Sequence, residues 1–219
     1  MINTSAVILT GETSKDFSND KGTLLIDNKV LIRHIFDIVN PLVDEVVVVV
    51  NTQEHVDLYA NFLPKTTKFI INAQQNQNPL SGAIAGFETA QGKYTVLLSY
   101  DAPFINEKLL QFLMDLSIGK TAAIPRNADD EIKPLCAVYQ TKAVLETAKL
   151  LVAEDATDMQ TLIKQLRGVR YILMSVIEQI DPELRSFFRV NTPLDFKRAE
   201  RMLQGKQTQH KKQQKKSRY

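Results

Sequence analysis

The chain reads as a three-layer α/β protein, a mostly parallel sheet flanked by helices on both faces, and three features of the sequence predict it. Continuous apolar and β-branched runs at residues 6–9, 46–50 and 94–98 have the length and composition of strands covered on both faces. Between them, apolar residues recur at helical spacing over stretches long enough to serve as crossovers. The third feature is size: 219 residues, 44% of them hydrophobic, can bury a large core and still form one domain.

Taken in order, Ala6-Val7-Ile8-Leu9 ends in Thr10-Gly11 and predicts the first central strand running into a loop. A polar loop to Lys21 and the apolar stretch Leu24-Leu25-Ile26 precede a crossover helix, in which Leu31, Ile35 and Ile38 share one side and His34 and Asp37 the other. Strands follow at 46–50, 69–71 and 94–98, separated by helices at 54–62 and 80–90. Beyond them come a helix at 106–116, strands at 121–124 and 134–139, and helices at 143–152 and 159–166. A last helix is signalled by Thr192 as its cap, Pro193 at its first position and Asp195 in its positive first turn.

The formal net charge of +2 hides an uneven distribution. Six of the 27 basic residues (Lys206, Lys211, Lys212, Lys215, Lys216 and Arg218) lie in residues 205–219, which contain no acid. Residues 1–204 therefore hold 21 basic groups against 25 acidic ones, and a mildly acidic body argues against nucleic-acid binding. The 205–219 stretch lacks apolar periodicity and is expected to be a disordered basic tail outside a single domain at 1–204. One cysteine excludes an internal disulfide, and three histidines make no zinc-ligand cluster. No leader or membrane helix is expected, and the cytosol is the compartment that cysteine usage suggests.

In such a sheet, ligands bind beyond the carboxyl ends of the strands, where Gly11, Asn51 and Asp101 stand. The loop of residues 11–21 contains one glycine and matches neither a Walker A motif nor a Gly-x-Gly-x-x-Gly fingerprint, so on pattern alone it reads as a connection before it reads as a phosphate site. Asp101 closes an apolar strand before Ala102-Pro103. It is either a turn aspartate or a hard oxygen ligand for a metal–phosphate complex. Cys136, inside an expected strand, and His34, on a crossover helix, do not form a nucleophilic triad.

Taken together, Ala6-Val7-Ile8-Leu9-Thr10-Gly11, Ser14 and Asp20-Lys21 resemble the opening signature of the molybdenum-cofactor guanylyltransferases, a strand followed by Gly-Gly-x-Ser-x-Arg-Met-Gly-x-Asp-Lys. Asn51 after the second strand, Asn78-Pro79-Leu80-Ser81-Gly82, Ser99-Tyr100-Asp101-Ala102-Pro103, Pro134-Leu135 and Val190-Asn191-Thr192-Pro193-Leu194-Asp195 extend the resemblance over about residues 5–203. It implies a Rossmann-like fold of the nucleotide-diphospho-sugar transferase (GT-A) type. It also implies transfer of GMP from GTP to a terminal phosphate of molybdopterin, with loss of pyrophosphate. The backbone amides of Leu9, Thr10 and Gly11, with Asn51 and Asn72, would hold the nucleotide. Lys21 would contact phosphate oxygens, and Asp101 would bind Mg2+ with Asn191 beside it.

This sequence departs from the family pattern at several of those points. Glu12 and Ser18 replace glycines, Asp16 replaces the arginine, Asn72 stands near an expected aspartate, and Arg189 replaces the first residue of Asn-x-Asn. A carboxylate about 5 Å from a phosphate charge costs about 3 kcal/mol at an effective dielectric of 20. Arg189 is expected to restore positive charge from the other side of the cleft. A binding paralogue without turnover, and a transferase using CTP or another acceptor, are the rival readings.

Overall fold

The structure, a computed structural model, describes residues 3–10, 20–73, 78–153 and 156–203. Gly11, Glu12, Asp16, Ser18 and the basic 205–219 stretch lie outside them. The expected three-layer architecture is present. Seven strands, β1 (Thr4–Leu9), β4 (Glu45–Val50), β5 (Lys68–Ile71), β6 (Tyr94–Ser99), β7 (Ala122–Arg126), β8 (Cys136–Gln140) and β9 (Val169–Leu173), form one sheet in the order β5-β4-β1-β6-β8-β7-β9. β5, β4, β1 and β6 run parallel, as do β7 and β9, while β8 is antiparallel to both β6 and β7. Two further strands, β2 (Leu25–Ile26) and β3 (Lys29–Val30), form a separate hairpin.

Alternate residues of the central strands divide between two cores. Ala6, Ile8, Val46, Val48, Val96 and Leu98 pack beneath α1 (Leu31–Val39), α2 (Gln53–Ala60), α4 (Glu107–Ser117) and α7 (Met174–Ile177). Val7, Leu9, Val47, Val49 and Leu97 pack beneath α3 (Pro79–Thr89), α5 (Thr141–Val152) and α6 (Met159–Gln165). Because both faces are covered, the run Val46-Val47-Val48-Val49-Val50 is buried at every position, and this is why it shows no alternation.

Two local readings are corrected. In α1 the buried side is Leu31, Ile32, Ile35, Phe36 and Val39, whereas Ile38 is only partly buried. The apolar stretch at 24–26 turns back through Asp27 and Asn28, both with positive φ, in the left-handed geometry that two-residue hairpins favour. His34 then ties helix to hairpin, its Nε2 lying 2.9 Å from the Ile26 carbonyl oxygen. At the end of the described chain, residues 193–203 are helical, and the Thr192 hydroxyl accepts a hydrogen bond from the Asp195 amide at 3.2 Å, as expected for that cap. No helix among the described residues is long and apolar enough to cross a membrane.

Helix α3 packs on β1 with Gly86 against Val7. A Cβ built at Gly86 would lie 2.4 Å from Val7 Cγ1, and Val7 is fully buried. Gly86→Ala should therefore lower stability by about 1–3 kcal/mol through overpacking, more than the gain of up to about 1 kcal/mol in helix propensity. Urea unfolding midpoints of the two proteins check this, and an unchanged or raised midpoint would contradict the close contact.

Candidate active site

All the candidate residues that the structure describes gather at the carboxyl edge of the sheet. Leu9 ends β1 and Thr10 follows it, Asn51 follows β4, Asn72 follows β5, and Asp101 lies just beyond β6. Lys21 opens a single 3-10 turn (Lys21–Thr23) that enters this edge from the side. The turn is held by Asp20, whose Oδ1 accepts from the Gly22 amide at 2.8 Å and from the Tyr59 hydroxyl at 2.7 Å. Burial first, and then the neighbouring Asp20 carboxylate, push the Tyr59 phenol above its ordinary range, so it remains a donor. His55 on the same helix places Nε2 3.4 Å from Asp20 Oδ2. The approach is so tight that a Cβ at Gly22 would meet the Tyr59 hydroxyl oxygen at 2.6 Å, which explains the glycine.

From that turn Lys21 reaches inward. Its Nζ donates to Asp101 Oδ2 at 2.8 Å and to Asn191 Oδ1 at 2.9 Å, and lies 5.5 Å from the centre of the Tyr100 ring. Arg189 approaches the same carboxylate with Nε 2.8 Å from Oδ1 and Nη2 3.0 Å from Oδ2. Ser99 closes the ring, its hydroxyl donating to Asp101 Oδ1 at 2.8 Å while accepting from Arg189 Nη2 at 3.0 Å. The Val190 amide donates to the Asp101 carbonyl at 2.8 Å, pinning the Arg189–Asn191 segment against β6. The Asp101 side chain is 0% exposed. Burial alone would raise its pKa, but the hydrogen bonds and charges of Arg189 and Lys21 outweigh it and hold the carboxyl below its ordinary value.

Beside this cluster an open cleft is lined by Leu9, Thr10, Asn51, Asn72, Gly82 and Leu135, among others. Ser99 and Tyr100 line the cleft and also touch the charged cluster, so the two are continuous. The Asn72 amide nitrogen donates to the Ser81 hydroxyl at 2.9 Å, and Ser81 in turn completes a capping box with Asn78 at the start of α3. The Asn78-Pro79-Leu80-Ser81-Gly82 segment is thus a helix start that also lines the cleft.

The magnesium expected on Asp101 and Asn191 can be judged against this geometry. Mg2+ requires oxygens at about 2.0–2.1 Å in near-octahedral arrangement. Here the two Asp101 oxygens accept four hydrogen bonds, three of them from an ammonium and a guanidinium group, and Asn191 Oδ1 accepts from Lys21. In this arrangement the donor set does not fit a divalent ion, since the ion would sit against two positive groups.

A family description, the MobA-like NTP transferase domain, matches residues 6–169. The chain belongs to that family. Among MobA-like relatives, the probable molybdenum cofactor guanylyltransferase of Methanosarcina acetivorans is 28% identical over 198 residues, covering 88% of each chain. The molybdenum cofactor guanylyltransferase of Desulfosudis oleivorans is 24% identical, over 90% of this chain and 94% of its own. The molybdopterin-guanine dinucleotide biosynthesis protein A of Archaeoglobus fulgidus shares the fold, with a TM-score of 0.78 over 92% of this chain and 99% of that one, at 22% identity. Arg189 and Asn191 lie beyond the matched MobA-like segment, although they complete its charged cluster.

Several members of the cluster were not apparent as such in the sequence. Ser99 carried a local signal, a hydroxyl two residues before an aspartate, but Tyr59 and His55 carried none, because their contact with Asp20 spans more than 30 residues. Cys136 is buried in β8, and burial first, with Asp181 adding to it, pushes its thiol up to about 12. The native protein should consequently give no reaction with a disulfide exchange reagent at pH 8, and one thiol per chain after unfolding. A fast native reaction would contradict the burial of β8.

Proposed function

We propose that this chain is a molybdenum cofactor guanylyltransferase that transfers GMP from GTP to molybdopterin and releases pyrophosphate. The observation that carries the reading is the position of Lys21. A buried ammonium held by a built turn lies against Tyr100, which lines the cleft at the carboxyl edge of the sheet, in a chain aligned over most of its length with relatives named for this activity.

In this reading the base and ribose occupy the cleft between Asn51, Asn72 and Gly82, with the triphosphate directed toward Lys21 and Arg189. An oxygen of the molybdopterin terminal phosphate attacks the α-phosphorus in line. The bond from that phosphorus to the bridging oxygen breaks, and pyrophosphate carries away the electron pair. Transfer of this kind depends on alignment and on neutralising charge at the phosphoryl oxygens, so no covalent protein intermediate is needed. Two of the three Lys21 donors go to Asp101 and Asn191, which leaves one to offer a phosphate oxygen. The cytosol fits a chain with a single buried cysteine.

One observation favours a second reading, a binding paralogue without turnover: both cations of the cluster turn inward onto Asp101. Thermal unfolding with GTP, ATP, CTP and UTP, followed by a pyrophosphate-release assay with molybdopterin, separates the readings. A ligand at 100 times its Kd should add about 2.7 kcal/mol, or roughly 5–10 °C. A shift with GTP together with pyrophosphate release supports the enzyme, a shift without release supports the paralogue, and a shift with CTP alone changes the base. No shift with any nucleotide removes the enzyme and leaves a paralogue that binds the cofactor alone.

A further inference from the structure

We propose that Arg189 stands in for a divalent cation at Asp101, so that this chain binds its nucleoside triphosphate without a metal ion. The inference rests on the nucleotide-binding reading above and adds to it the identity of the counter-charge.

The geometry is that of a cation seat already filled. Arg189 addresses both Asp101 oxygens, at 2.8 and 3.0 Å, in the two-pronged manner that makes a guanidinium–carboxylate pair hard to open. Its Nη2 also donates to Ser99, which itself donates to Asp101, so that withdrawing the guanidinium would break three hydrogen bonds of the cluster at once. The side chain is not a stray surface arginine, because its neighbour Val190 is hydrogen bonded to the Asp101 carbonyl through the backbone. Asp101 is wholly inaccessible, whereas the Arg189 side chain is 31% exposed. The positive member of the pair therefore reaches the solvent side of the cluster, where a triphosphate would arrive.

Charge leads to the same conclusion. Lys21 and Arg189 on one carboxylate leave the cluster with a single net positive charge, fixed to the fold and needing no ion to supply it. A magnesium ion entering the cluster would have to displace a buried, bidentate pair and then face Lys21 at close range, which is unfavourable at any effective dielectric of a protein interior.

The test is GTP affinity by titration calorimetry, measured in magnesium and in excess EDTA, for the wild type, Arg189→Asn and Arg189→Lys. The wild type should bind GTP in EDTA within about threefold of its affinity in magnesium, and a greater loss would overturn the proposal. Arg189→Asn should bind about tenfold or more tightly in magnesium than in EDTA, and equal affinities would overturn the assignment to Arg189. If Arg189→Asn does not fold, Arg189→Lys decides, since retention of charge should retain metal-free binding and its loss would count against the proposal. If no protein binds GTP in either buffer, the function proposed above fails, and uptake of Mn2+ followed by electron paramagnetic resonance decides this inference alone. Uptake by Arg189→Asn but not by the wild type supports it, and any other pattern overturns it.

Discussion

Asp101→Ala is expected to destabilise the protein by about 3–5 kcal/mol, because it leaves buried Lys21 without its counter-ion. For a chain of this size that corresponds to a fall in melting temperature of roughly 6–20 °C. Most of the loss comes from the Lys21 side of the cluster, since the Lys21 side chain is 3% exposed whereas Arg189, at 31%, is partly screened by water. Asp101 is the shared partner of two cations, so its removal should cost more than removal of either cation alone. The effect also has a pH signature. The folded carboxyl titrates below the ordinary 3.8, so its stabilising contribution is complete above that value and is lost as pH falls through the lower folded value. The difference between wild type and Asp101→Ala, followed by chemical denaturation, should be constant from pH 8 to pH 5 and shrink only in strong acid. A difference that already declines near neutrality would mean that the carboxyl is not held ionised by its partners.

Lys21→Met is expected to show the opposite balance, a modest loss of stability with a large loss of transfer. Methionine fills a similar volume and is compatible with the apolar contact to Tyr100, and Asp101 keeps its guanidinium and hydroxyl partners. Removing a fixed positive donor from a developing phosphoryl charge typically costs 10²–10³ in rate, so kcat/KM for pyrophosphate release should fall by roughly that factor. Nucleotide affinity should fall less if Lys21 acts mainly on the transition state. Retention of full activity in a folded Lys21→Met protein would remove Lys21 from the phosphate site.

How far the sequence revealed these parts depended on the distance over which each is determined. The strands at 6–9, 46–50 and 94–98 were legible because burial on both faces writes itself into consecutive residues. Asp101 was legible for the same reason, as the first acid after such a run. The edge strand β9 was not, because only Ile172 of Val169-Arg170-Tyr171-Ile172-Leu173 is buried, and one buried residue makes no pattern. The β2–β3 hairpin was missed because its strands are two residues long, and the signal was in the turn, Asp27-Asn28. Arg189 was noticed as a departure from the family pattern, but its seat on Asp101, 88 residues away, is a tertiary fact that no local rule contains.

The backbone hydrogen bond from Val190 to Asp101 also sets an order of events during synthesis. When β6 and the Lys21 turn have left the ribosome, the carboxylate and the ammonium can pair, but the guanidinium that completes their charge has yet to be made. A chain cut before residue 189 contains the residues of every strand of the sheet and still lacks the group on which its proposed ligand depends. The proposed capture of a triphosphate therefore depends on a residue made after every strand of the sheet.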